Sequence, residues 1–159
     1  MASIVSTMPP ASRQGSTFNR DAERLVARAG KNALRPETAQ QFFDKYKGDP
    51  DPGTRRDAAS ILGVCAELCR RNGSLKVSAD ISYLVGDKDV AAIRYLKAEW
   101  YGRAIEIYME LAAEAGNPVD ISQYLFMARG CAKMYSLAYP EVDLQRLLEK
   151  HGLGKAGKN

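Results

Sequence analysis

At 159 residues and 45% hydrophobic content, the chain has the size and apolar fraction of one packed domain with free ends, which excludes wholesale disorder. No apolar run approaches the roughly 20 residues of a membrane span, and the start MASIVSTMPPASRQGSTFN has neither the charged head nor the apolar middle of a signal peptide. The net charge of +4 is unevenly placed: residues 1–35 carry +4, residues 36–149 carry −3 and residues 150–159 carry +3. Basic ends on a slightly acidic body point to a polyanion or an acidic partner patch, with solubility of exposed ends as the plainer explanation. Three cysteines in a chain without a leader argue against a disulfide framework and for a non-secreted protein.

Residues 1–18 mix Ser, Thr, Met and Pro9-Pro10 without periodicity and read as a flexible N-terminal arm. Its apolar residues Ile4, Val5 and Met8 suit docking on a neighbouring surface in self-assembly, against the commoner case of a disordered terminus. A core domain is expected over residues 19–149. Asn19 opens a helix that runs to Ala29 or Leu34, with Asp21 and Glu23 in its first turn. Arg20, Arg24, Arg28, Lys31 and Arg35 step by four, four, three and four, so they share one face if the helix survives Gly30. Such a stripe can follow a phosphate backbone, and an ordinary solvated face is the alternative.

Pro36 suits the first turn of a second helix, which runs to Lys47 and ends at Gly48, with Phe42, Phe43 and Tyr46 facing the core. The turn-rich GDPDPG leads to a third helix, Thr54 to Asn72, closed by Gly73. Cys65 and Cys69 fall on its apolar face and read as buried small hydrophobes. Residues 74–86, SLKVSADISYLVG, alternate only briefly and read as a short hairpin or an irregular loop.

Asp87 to Gly116 is expected to form one long central helix, capped by Asp87 and followed by Pro118 as a stop. Ile93, Leu96, Trp100, Ile107 and Leu111 share one apolar stripe, and Tyr101, Ile105, Tyr108 and Ala112 an adjacent one. An arc that wide suits a helix packed on more than one side. Asp120 or Ser122 caps a fifth helix ending near Tyr139, with Gly130 where another helix approaches closely. Pro140 opens a short sixth helix with Val142, Leu144, Leu147 and Leu148 apolar, and residues 150–159 form a flexible basic tail. The fold class is therefore all-α, an irregular bundle of about six helices around the central one.

The chemistry that is missing narrows function. A single histidine, His151, removes most His-based metal and acid–base sites, and no Walker loop, dinucleotide fingerprint, CxxC pair or nucleophile elbow is present. Glu106, Glu110 and Glu114 form an i,i+4 row without the Glu-x-x-His partners of a di-metal bundle, so they read as a solvated or inter-subunit acidic face. No catalytic residue, metal or cofactor is expected.

The stretch Ala91 to Pro118, AAIRYLKAEWYGRAIEIYMELAAEAGNP, resembles the long helix of the coat proteins of flexible filamentous plant viruses, and more loosely that of helical viral nucleoproteins. The resemblance lies in an early arginine, mixed aromatic and apolar residues including a tryptophan, and a proline-containing loop. It implies an arm that docks on the next subunit, an all-helical core and a basic groove for single-stranded RNA, in a virion or the host cytoplasm. By that match Arg94 faces RNA, with Lys97 one turn away. The residues allow the same reading by themselves: Arg94, Lys97 and Tyr101 supply cations and an aromatic face for one groove wall, and Arg129 and Lys133 an opposing wall. Surface ion pairs with the abundant acids are the alternative for each pair. The expected protein is a coat or nucleocapsid-like homo-oligomer that packages single-stranded RNA non-specifically, with avidity offsetting modest basicity per subunit. The rival is a soluble helical adaptor that binds a protein partner and ignores nucleic acid.

Overall fold

The computed structural model describes residues 13–134, which form seven helices and, among the described residues, no strand. They are α1 (Arg13–Gly30), α2 (Pro36–Tyr46), α3 (Pro52–Arg71), α4 (Leu75–Leu84), α5 (Lys88–Lys97), α6 (Tyr101–Glu114) and α7 (Pro118–Met134). The all-α class holds. The chain divides into two compact units, residues 1–87 and 88–159. Ile4, Val5 and Met8, the expected sixth helix and the basic tail lie outside the described residues.

In the first unit, α1 to α4 enclose a core that includes Leu25, Ala29, Phe42, Leu62, Cys65, Cys69 and Ile81. α1 begins at Arg13, ahead of the expected Asn19 cap, because Phe18 is itself a core residue. Its ring sits 4.9 Å from that of Tyr46, edge to face, and 5.9 Å from that of Phe42. Such pairs contribute about 0.5–1.5 kcal/mol each beyond burial of their area. Pro36 and Pro52 open α2 and α3, where the missing N–H leaves no bond unmade. The Asp51 carboxylate caps α3 by accepting from the amides of Gly53 at 3.2 Å and Thr54 at 3.0 Å.

Residues 75–84 form α4 rather than a hairpin or loop. Ser78 and Ser82 are buried one turn apart alongside Ala79 and Ile81, so the inward face of this helix is half serine. The Ser78 hydroxyl donates to the Ala66 carbonyl of α3 at 2.7 Å, and the Ser82 hydroxyl to the Ser78 carbonyl at 3.0 Å. Bonded in this way, serines tolerate the core, but to a hydropathy pattern they look like solvent positions.

In the second unit the expected long central helix is two helices, α5 and α6, separated at residues 98–100. The break is a Schellman turn. Glu99 adopts a left-handed φ of 63°, its amide bonds to the Leu96 carbonyl at 3.1 Å, and the Trp100 amide bonds to the Tyr95 carbonyl at 2.9 Å. The same bonding closes α1 at Asn32, α3 at Gly73 and α4 at Gly86, all with positive φ. Glycine holds the left-handed position in two of the four turns, and Asn32 and Glu99 hold it in the others.

The break redistributes the expected stripes. Ala91, Ala92 and Tyr95 of α5 are buried, whereas Ile93 and Trp100 are exposed and do not belong to the core. The second expected stripe survives in α6, where Ile105, Tyr108 and Ala112 are buried with Ala104 and Ile107. α7 starts at Pro118, which opens a helix instead of stopping one. Asn117 caps it through a 2.9 Å bond to the Asp120 amide, the role expected of Asp120 or Ser122. Gly130 faces open space, not a neighbouring helix.

Candidate nucleic-acid interface

Arg20, Arg24 and Arg28 stand exposed on α1, each about 6 Å further along the axis at 1.5 Å rise per residue. The helix ends at Gly30, and Asn32 turns the chain. Lys31 lies in that turn and Arg35 beyond it as the residue before α2, both exposed, so the five-cation stripe shortens to three on the helix itself.

Arg24 and Arg28 line a groove of about 330 Å³ between α1 and α2, together with Asp21, Leu25, Thr38, Gln41, Phe42 and Lys45. Asp21 is the one acid in it. Its carboxylate accepts from Lys45 Nζ at 2.6 Å and from the Tyr46 hydroxyl at 2.6 Å. These bonds, Lys45 first, hold its carboxyl below the ordinary carboxylate value against the opposing effect of burial. The same bond raises the Lys45 ammonium, and burial ahead of the Asp21 bond raises the Tyr46 phenol. The acid is thus neutralised locally. Neither Arg24 nor Arg28 makes an ion pair among the described residues, so the groove presents two guanidiniums over a floor that includes Leu25 and Phe42. Guanidiniums so placed have the geometry to donate to an oxyanion, a phosphate or a carboxylate.

The second unit carries the other expected residues. Arg94, half-buried, and Lys97, exposed, are in the last turns of α5, and Tyr101 is the first residue of α6. The intervening turn means that these three do not continue along one helical face. Arg129 and Lys133 are exposed one turn apart on α7. They border an exposed apolar row, Val119, Phe126 and Met134, on the side of α7 opposite buried Ile121, Leu125 and Ala128. The glutamate row of α6 is an ion-pair network. Arg103 meets Glu106 at 2.8 Å and Glu110 at 3.6 Å, and Lys88 meets Glu110 at 3.1 Å and also Glu114.

Lys45 joins the groove of the first unit without having been singled out from the sequence, and in the second unit Trp100, expected in the core, and Phe126 are exposed. Lys45 had a signal, since it lies one position from core Tyr46 on an amphipathic helix, whereas Trp100 was assigned to the core by its helical stripe. Among the described residues, no group of three or more His, Cys, Asp and Glu side chains is placed to hold a metal ion. No described helix is long and apolar enough to cross a membrane. Comparison of the chain with protein-family models, curated proteins and solved structures finds no match.

Proposed function

We propose that this chain is a structural subunit that binds single-stranded RNA non-specifically and packages it as a homo-oligomer, in the manner of a viral coat or nucleocapsid protein. The observation that carries the reading is the α1 surface, where Arg20, Arg24 and Arg28 repeat every four residues and two of them line a groove with Lys45. Regularly spaced guanidiniums meet successive phosphates, and each phosphate neutralised releases counterions. The sequence resemblance of Ala91–Pro118 to filamentous coat proteins points the same way, although the stretch folds as two helices and not one, and the basic chain ends add long-range attraction. Ile4, Val5 and Met8 are the proposed arm contacts.

The adaptor reading is favoured by a different observation, the exposed apolar row of α7, which suits a protein partner. One experiment separates the two. Negative-stain microscopy with and without single-stranded RNA should give RNA-dependent filaments or rings, and filter binding should weaken for Arg24→Ala/Arg28→Ala with a shallower salt dependence. Featureless particles that leave RNA unbound would retire the packaging reading in favour of the adaptor.

A further inference from the structure

α7 is apolar on two opposite sides. On one, Ile121 and Leu125 are buried with Ala112 of α6. On the other, Phe126 is 74% and Met134 71% exposed, with Gly130 midway between them at steps of four residues. A helix that is apolar on both sides is normally covered on both, so the outer face calls for a cover. A side chain at Gly130 would meet nothing within 4 Å, which leaves room for a bulky residue against the helix backbone there. Along one flank of the face, Arg129 and Lys133 are exposed and make no ion pair among the described residues. The complementary surface is therefore apolar with an acid on one side.

Residues 140–149, PEVDLQRLLE, lie outside the described residues and have that character in sequence. Pro140 suits the first turn of a helix. At helical spacing Leu144, Leu147 and Leu148 share one side, Asp143 falls on its flank and Val142 on the opposite side. Residues 135–139 link Met134 to Pro140. Fully extended they reach about 17 Å, against about 8–10 Å between the axes of packed helices. So short a connection brings the next helix back antiparallel. Residues 140–149 then run about 15 Å along α7, from Met134 back to the level of Phe126. In that register Leu144 lies over Gly130, and Leu147 and Leu148 reach Phe126 and Met127. Asp143 falls between Arg129 and Lys133, on their own flank. Val119, two turns before Phe126, lies beyond it.

We infer that residues 140–149 fold back as a helix on the outer face of α7, with Asp143 paired to Arg129 and Lys133. Attachment to α7 through a short link gives this segment a local concentration in the millimolar range, which a second copy or a separate protein must outcompete. The inference goes beyond RNA packaging and does not depend on it. It assigns most of the α7 row, the feature that suits an adaptor's partner, to the chain itself.

The test uses the full chain with paired cysteines. Mild oxidation of Gly130→Cys/Leu144→Cys should close a disulfide within one chain, seen as a faster monomer band on a non-reducing gel. Only the native Cys65, Cys69 and Cys131 should then titrate after unfolding. Gly130→Cys/Val142→Cys should stay reduced, because position 142 falls on the far side of the docked helix. Equal linking of both pairs, or of neither, would overturn the docking. Linked dimers whose yield rises with protein concentration would overturn it in favour of a second copy. Independently, Asp143→Arg should lower Tm by a few degrees, and adding Arg129→Glu should recover part of the loss. An unmoved Tm, or no recovery, would overturn the proposed register, and this arm decides should the cysteine variants fail to fold. Neither arm reads RNA, so failure of the docking and failure of RNA packaging are told apart.

Discussion

The side-chain amide of Asn72 donates to the main-chain carbonyls of Ala29 at 3.0 Å and Gly30 at 3.2 Å. The residue that closes α3 therefore also helps close α1, as a second donor to the Ala29 carbonyl, which already accepts from the Asn32 amide, and as a donor to that of Gly30. Asn32, in the left-handed turn after α1, is in turn bonded to the hydroxyl of Ser74, the residue before α4. Three helix ends of the first unit meet through these two asparagines.

Asn72→Ala should cost about 1 kcal/mol of stability, the usual worth of such hydrogen bonds. Urea unfolding at neutral pH reads it as a lower midpoint at unchanged slope. A midpoint equal to wild type would mean that water caps α1 equally well.

Glu99→Gly should raise stability, by on the order of 0.5 kcal/mol, as relief of left-handed strain exceeds the added freedom of the unfolded chain. The sign is diagnostic. Within a continuous helix the same substitution would lower stability by roughly 1 kcal/mol, so a fall in Tm would reinstate one long helix across residues 98–100.

Asp21 links stability to pH. Its folded-state pKa is lowered, chiefly by the bonds from Lys45 and Tyr46. Its contribution is complete above the unfolded value of about 4 and is lost as pH falls through the folded value. Glu67 titrates in the same direction, held at about 2 by Arg70 and Arg71. The difference between wild type and Asp21→Asn therefore isolates Asp21: about 1 kcal/mol at pH 7, shrinking toward zero at pH 2. A constant difference across that range would assign the effect to the lost shape of the contact rather than to its charge.

The thiols should be silent in the native state. Burial pushes Cys65 up to about 12 and raises Cys69 and Cys131 in the same direction, and all three are free and buried. A thiol-reactive chromogen at pH 8 should report almost no reaction until guanidinium is added, then three equivalents. Rapid native labelling of even one thiol would contradict its burial.

Replacing Ser78 by Ala should destabilise by about 1 kcal/mol through loss of its bond to the Ala66 carbonyl. Ser78→Leu should cost more, roughly 1–3 kcal/mol, because the site is fully enclosed. Thermal melts monitored by circular dichroism rank the two, and a tolerated leucine would mean that α4 does not pack closely on α3.

What could be read along the chain was whatever local chemistry controls. Pro36 marks a helix start and Gly73 a helix end, because a missing N–H or a missing Cβ acts at its own position, although Pro52 and Pro118, read as connection and stop, also open helices. The apolar faces of α2, α3 and α6 were legible for a similar reason: burial there follows helical periodicity without polar interruptions. α4 was not, since Ser78 and Ser82 became core residues only through carbonyl partners that helix packing supplied. The groove cations Arg24 and Arg28 stood out by spacing, but their pairing with Lys45 needed α2 folded against α1.

The sharpest contrast lies at Glu99. By itself the sequence determined an all-helical protein with cations spaced every four residues near its start, because periodicity and helix-end chemistry depend on neighbours within a turn or two. Only the tertiary structure decided that the helix breaks at Glu99 and that Trp100 faces outward. Nothing local forbids a helix through KAEWY; burying Tyr95, Ile105 and Tyr108 together in the folded second unit goes with the turn between them, and the gain from packing exceeds the strain of one left-handed residue.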